Sequence, residues 1–370
     1  MRFQGFTIPW TEIEIGKAFQ VTRGYVLPTT VVRQDASEEY IYPVYSSQTK
    51  DNGLMGYYND YLYENAITWT TDGANAGTVH YRPGKFYCTN VCGVLLSDEG
   101  NANRCVAEIL GSVSKKYVSY VGNPKLMNNV MSEIKIYVPT IAEQKKIDEF
   151  ISVIDHRIEK QRKLIEHLKK YKRGLMQAIF SREVQLENSS NWEHRLFSEI
   201  ASLGKGKYTP KQEKALPCIE LEHLEQQTGQ IIGYANSNEQ NSVKSVFHKG
   251  DVLFGKLRPY LRKFALPEYD GVCSSEIWVL HPKSNIDSTF LFYLIQSESF
   301  IAAANISSGT KMPRAEWSKV SNEGFFIPEL SEQKRIADLF SAIDKRIVNA
   351  TRTVNKMQSL KQGLLQQLFI

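Results

Sequence analysis

The residues in this chain most able to do chemistry are few, and their spacing argues against most reactions they could serve. Gly250–Leu257, GDVLFGKL, has the GxxxxGK spacing of a phosphate-binding loop. Leu257 stands where a serine or threonine would hold magnesium, DVLF is strand-like, and the following RPYL cannot easily open a helix. No HExxH, GxSxG or HxE…CxxC occurs. His156 and His167 fall on helical stretches as solvated positions, and His223 in ELEHLE has no ligand partner in range. Glu220 and Glu222 read as a charged strand edge. Five cysteines (Cys88, Cys92, Cys105, Cys218 and Cys273) include no CxxC, so buried free thiols are expected, not a zinc site. A glycine-rich cofactor loop with a DPPY partner is missing, as is a PD…(D/E)xK set. Adenine methylation and DNA cleavage are not expected of this chain itself.

What remains is cationic. In KLRPYLRKF, alternation would put Lys256, Arg258, Tyr260 and Arg262 on one side of an extended segment, with Lys263 next. Phosphates and guanine edges both attract such a side, arginine bidentately. A solvated strand edge would have the same composition.

A repeat supplies the elements that must position these residues. PTIAEQKKIDEFISVIDHRIEKQRKLIEHLKKYKRGLMQAIF (139–180) aligns without a gap to PELSEQKRIADLFSAIDKRIVNATRTVNKMQSLKQGLLQQLF (328–369). Identities include Pro139/Pro328, Gln144/Gln333, Asp155/Asp344, Gly174/Gly363 and Phe180/Phe369. Each copy opens on proline and has a Glu in its first turn, which suits the positive end of a helix dipole. Apolar residues step by four and three: Ile147, Ile151, Ile154, Ile158, Ile165, Leu168, Leu175 and Ile179. The second copy gives Ile336, Phe340, Ile343, Ile347, Val354, Met357, Leu364 and Leu368. A period of 3.5 held over about five heptads is a coiled-coil seam. Lys172 and Lys361 interrupt it at the same place, as a register device or as lysines snorkelling near a helix end. Helices of this length could each span about 60 Å, and they most simply pack antiparallel.

The duplication extends upstream. NPKLMNNVMSEIKIYVP (123–139) and MPRAEWSKVSNEGFFIP (312–328) keep the same offset, and Trp10 and Trp192 mark matching domain starts. Between them the sequences differ, with aromatic and β-branched runs cut by DNG, DGANAG and RPG turns in the first. One helix is expected near each domain's end, at roughly 102–118 and at 288–306. The expected fold is α+β: two mixed α/β domains separated by two long antiparallel coiled-coil helices, with an internal pseudo-twofold repeat. Boundaries fall at 1–138, 139–180, a polar linker at 181–191, 192–327 and 328–370. With 370 residues, 42% apolar and 23% charged, the chain suits two folded domains. No run is long and apolar enough for a membrane span, and the start lacks a signal-peptide layout, so a cytoplasmic protein without membrane partners is expected. A net charge of +5 permits a nucleic-acid partner without demanding one.

The repeated P-x-x-(A/S)-E-Q-K-(K/R)-I and G-L-x-Q-x-(I/L)-F, with unlike domains between, resemble the specificity subunit of a type I restriction–modification system. GDVLFGKLRPYLRK with GVCSSEIWVL and SGTKMPRAEW is similar to one class of target-recognition domain in that family. YPVYSSQ, NGLMGYYNDY and TDGANAGTV are similar to another. The resemblance implies a non-catalytic subunit in which each domain reads half of a bipartite, asymmetric site in double-stranded DNA. Its helix pair would set the gap, at most about 18 base pairs for a 60 Å rod. It further implies two adenine-methylating modification subunits and, through them, restriction subunits. S-adenosylmethionine, ATP and magnesium would belong to those partners, leaving this chain without cofactor or metal.

Candidate DNA contacts are Lys256, Arg258, Tyr260, Arg262, Lys263, Lys311 and Arg314 in the second domain. In the first they are Asn75, Arg82 and Lys125. The chain ends at Ile370, so any closure onto the first domain is expected to rest on the segment before Trp10. Two other readings compete: a coiled-coil adaptor whose heads bind proteins without DNA specificity, and an enzyme whose active site carries no motif.

Overall fold

The computed structural model describes residues 2–48, 50–210, 215–306 and 312–369. It divides into two compact units. Residues up to Arg162 together with those from Arg352 onward form the first, and Lys163–Thr351 form the second.

In the first unit the aromatic and β-branched runs pair as a six-stranded sheet. Its strands are β2 (Gln20–Arg23), β3 (Tyr42–Tyr45), β4 (Leu54–Tyr58), β5 (Tyr63–Thr70), β6 (Val79–Cys88) and β7 (Cys92–Leu96), ordered β2-β7-β5-β6-β3-β4. Central β5 is buried on both faces in the two-residue period of a strand. Ile67 and Trp69 join one core with helix α2 (Arg104–Ser114), while Ala66 joins another with Phe86 and Val94. Gly93 lies opposite Trp69, and a Cβ there would sit 2.1 Å from the indole. Only glycine admits that ring. The expected helix at 102–118 is α2 followed by a single tighter turn at Lys115–Tyr117.

The second unit has unlike sheets. One is four-stranded, from β10 (Ala201–Leu203), β15 (Val252–Gly255), β16 (Phe264–Ala265) and β18 (Ile277–Pro282). The other is five-stranded, from β11 (Lys207–Tyr208), β12 (Pro217–Ile219), β13 (Ala235–Asn236), β14 (Lys244–Phe247) and β17 (Gly271–Cys273). The helix expected over 288–306 is two, α6 (Ser288–Leu294) and α7 (Glu298–Ala304). Ser297 explains the break: its hydroxyl accepts from the Phe300 N–H and starts a new helix. GDVLFGKL contains β15, a central strand that sends Val252 and Phe254 to one core and Leu253 to another, so it is no loop around a phosphate.

A common frame encloses these sheets. β1 (Thr11–Glu14) followed by α1 (Ile15–Ala18) has its counterpart in β9 (Glu193–Leu196) followed by α5 (Phe197–Ile200). α3 (Asn128–Glu133) and β8 (Lys135–Val138) correspond to α8 (Trp317–Val320) and β19 (Gly324–Ile327). β8 pairs antiparallel with β1, and β19 with β9. The long helices α4 (Ile141–Phe180) and α9 (Leu330–Leu368) follow.

Within each unit the α4 and α9 segments run antiparallel. In the first, Ile147 and Ile151 share a core with Leu365 and Phe369, while Asp155 bonds Lys361 at 2.8 Å. In the second, Lys172 bonds Asp344 at 2.8 Å and Phe180 stacks near Phe340. Ile158, Ile179, Val354 and Leu368 are buried, while Ile154, Ile165, Leu168, Leu175, Ile347, Met357 and Leu364 are half-buried. Ile147, Ile151, Ile336, Phe340 and Ile343 depart from a pure seam, because they also complete the cores of their domains.

The repeated lysines do not snorkel to solvent but pair across the two helices. Lys172 and Asp344, Lys361 and Asp155 are the same two repeat positions joined reciprocally. Burial lowers the Lys172 pKa, with Asp344 opposing it. Burial also opposes the charge on Lys361, but Glu108 and Asp155 outweigh it and hold its pKa above the ordinary value.

Candidate nucleic-acid interface

The Glu-Gln pair that opens each long helix is buried, and it ties helix to domain. Gln144 donates to the Pro139 carbonyl and Gln333 to that of Pro328, both at 2.9 Å. Gln144 accepts from Asn103, the cap of α2, and Gln333 accepts from the backbone of Asp287, the cap of α6. Glu143 takes two bonds from Arg2, at 2.8 and 2.7 Å. Glu332 takes bonds from Ser189, Ser190 and Trp192, which hold its carboxyl below the usual range against the upward push of burial. The segment before Trp10 therefore does for Glu143 what the linker does for Glu332. Phe3 adds an edge contact to Phe150, and Trp10 meets Phe369. Sequence reasoning counted this Glu only as a helix-dipole partner. Its occurrence twice, always beside Gln, was the available signal.

In the second domain the chain leaving β15 is not extended throughout, which corrects the alternation read from KLRPYLRKF. Lys256 and Leu257 continue beside the 313–315 segment, with Arg258 N–H donating to Pro313 O and Ala315 N–H to Lys256 O, each at 2.8 Å. Arg258 and Arg262 then adopt left-handed backbone, at φ 52° and 53°, around a 3₁₀ turn over Pro259–Leu261. Proline fixes the turn, and the two arginines bend the chain on either side.

The side chains consequently diverge. Arg258 and Tyr260 are exposed, and Lys256 is half-buried. Arg314, on the adjacent segment, is exposed and bonds Glu276 at 3.1 Å. Arg262 instead pairs with Glu298 and donates to the Gln296 carbonyl, and Lys263 donates to the Leu221 carbonyl. Those two brace the turn. Lys311 lies outside the described residues.

In the first domain Lys125 is exposed at the base of a loop closed by two 2.9 Å bonds to Ser119, with Asp72 3.9 Å from its ammonium. The loop tip carries Tyr120 and Val121, both strongly exposed, which sequence reading overlooked. Asn75 is half-buried and donates to the Ser47 carbonyl.

Arg82, the third candidate of this domain, does not face solvent. It is 6% exposed, with its guanidinium 3.7 Å from the centre of the Tyr45 ring. The RPG triplet suggested a turn, yet β6 runs through it.

The alternative chemistries find little support in the geometry. Glu220 is paired with Lys244, and the His223 ring accepts from the Glu220 N–H. All five cysteines are free and buried, and burial raises the thiol pKa values, to about 11 at Cys92 and Cys218. Among the described residues no three His, Cys, Asp or Glu groups gather as for a metal, and no helix is long and apolar enough to cross a membrane.

The same frame is present twice, around unlike sheets, and each domain has exposed cations on the loops beside them. Residues 7–170 and 189–357 match the type I restriction modification DNA specificity domain, and the chain belongs to that family. It is 34% identical over 154 residues to S.MpnORF285P of Mycoplasma pneumoniae, covering 40% of this chain and 49% of that one. It is 24% identical to the EcoDI specificity subunit of Escherichia coli, covering 66% of this chain and 64% of the relative. The chain thus spans between about half and two thirds of those relatives. The MjaVIII specificity subunit of Methanocaldococcus jannaschii, also 24% identical, aligns over 98% of this chain and 93% of its own. In fold, the chain is similar to a type I S subunit from M. genitalium, at TM-score 0.65 and 16% identity, over 100% of this chain and 97% of that one.

Proposed function

We propose that this chain is the sequence-reading subunit of a type I restriction–modification complex. Each domain reads one half of a bipartite, asymmetric duplex site. The α4 and α9 pair sets the unspecified gap and docks two adenine-methyltransferase subunits, which in turn carry the restriction subunits. The chain is non-catalytic and acts in the cytoplasm. S-adenosylmethionine, ATP and magnesium are held by the partners.

The observation that carries this reading is the doubled frame. Reciprocal Lys–Asp pairs and equivalent Gln anchors repeat one framework twice, as suits two copies of one partner, while the unlike sheets suit two different half-sites. Arg258, Tyr260, Lys256 and Arg314 are the contacts best placed in the second domain, and Lys125 and Asn75 in the first.

Two measurements test it. Affinity of the assembled methyltransferase complex for duplex should fall steeply with salt, as phosphate neutralisation requires; an adaptor without DNA specificity would give no such slope. The purified chain alone, given DNA, metal, ATP and S-adenosylmethionine, should neither cut nor methylate.

A further inference from the structure

The first domain contains a cavity of about 170 Å³ lined by a mixture of polar and apolar groups. Thr68, Thr70, Asn75, Thr78, His80 and Arg82 are among the residues around it, and no aspartate or glutamate is. Arg82 is 6% exposed. Its Nε donates to the Thr68 hydroxyl at 3.0 Å and one Nη to the Asn52 carbonyl at 2.8 Å. Tyr45 covers a face of the guanidinium. These partners are all neutral, and among the described residues no carboxylate forms an ion pair with Arg82. A guanidinium keeps its charge when buried, and neutral partners offset the desolvation of Arg82 only in part, which leaves its charge available to an anion. His80 is held neutral, its pKa pushed down to about 4 by burial and then by Arg82 and Lys361. The lining is therefore positive and rich in hydroxyl and amide donors. A flat base would need a stacking platform, but the Tyr45 face is taken by Arg82 and the Trp69 ring is pressed against Gly93.

We propose that this cavity binds a phosphate-type oxyanion, with Arg82 supplying the charge and Thr68, Thr78 and Asn75 supplying polar contacts. Two sources offer that chemistry, a free inorganic phosphate and a phosphate of the duplex backbone.

The test is a titration of the histidine-labelled full-length chain with inorganic phosphate, followed by NMR. The His80 ring is assigned by the signal lost in His80→Asn. The expected result is a saturable shift of His80 toward the protonated form, with a dissociation constant below about 1 mM. Chloride at equal ionic strength should give none, and Arg82→Gln should weaken the effect at least tenfold. Should Arg82→Gln fail to fold, Thr78→Val and Asn75→Ala carry the expected weakening. Duplex DNA that displaces the bound phosphate assigns the site to a backbone phosphate, whereas duplex that leaves it in place assigns a free ion. No saturable shift through about 10 mM phosphate, or an equal shift with chloride, overturns the proposal.

Discussion

Arg258 and Arg262 are four residues apart and adopt the same left-handed backbone, yet they have opposite fates. Arg262 is spent on Glu298, while Arg258 projects from the turn. Arg258→Ala should therefore weaken methylation at one half-site by about 1–3 kcal/mol, the usual value of a base or phosphate contact, while assembly with the modification subunits survives. Unchanged modification by the variant would remove Arg258 from the interface. His80 gives a second prediction. Its pKa is depressed to about 4 by burial in the folded state, against an ordinary value near 6.5. The unfolded chain binds a proton in that window and the folded chain does not, so stability falls as pH drops from about 6.5 toward 4. His80→Asn should flatten that part of a melting-temperature profile, and an unchanged slope would deny His80 the role. The sequence showed which residues were cationic but not which were free. Whether an arginine is buried like Arg82, braced like Arg262 or exposed like Arg258 depends on partners far along the chain.

At the scale of elements, the long helices were legible nearly to the residue, because a period of 3.5 and a helix-opening proline are local signals. The break at Ser297 was also local, lying in the polar QSES that separates the apolar run ending at Ile295 from Phe300 and Ile301. The sheets' strand order was not legible, since it depends on pairings such as β3 beside β6 that no nearby sequence dictates. The repeat showed that Lys172 and Lys361 were equivalent, but not that each reaches the other copy's aspartate. Lys172→Met should cost about 2 kcal/mol, below the 3–5 of a fully buried pair because the Asp344 side chain keeps 28% exposure. Exchanging both charges, Lys172→Asp with Asp344→Lys, should recover part of that loss in a denaturation cycle. Strict additivity would show that the pair does not set register. Inserting about one heptad into α4 and α9 together should change the gap between half-sites without altering their sequences; altered half-site sequences would show that the helices do more than space.

For the whole molecule, the account joins three facts. The frame occurs twice, its anchoring glutamines are buried and equivalent, and the chain belongs to the DNA specificity family along most of its length. The same Gln, Glu, Lys and Asp positions recur because they build the frame, whereas the sheets between them differ in strand order and number. That division of labour is what a reader of two unlike half-sites needs. Mapping methylated adenines across the genome, in cells with and without this gene, tests it most directly. The expected result is loss of one bipartite motif with a constant unspecified gap when the gene is removed. An unchanged set of methylated adenines, or loss of a single uninterrupted motif, would contradict the account.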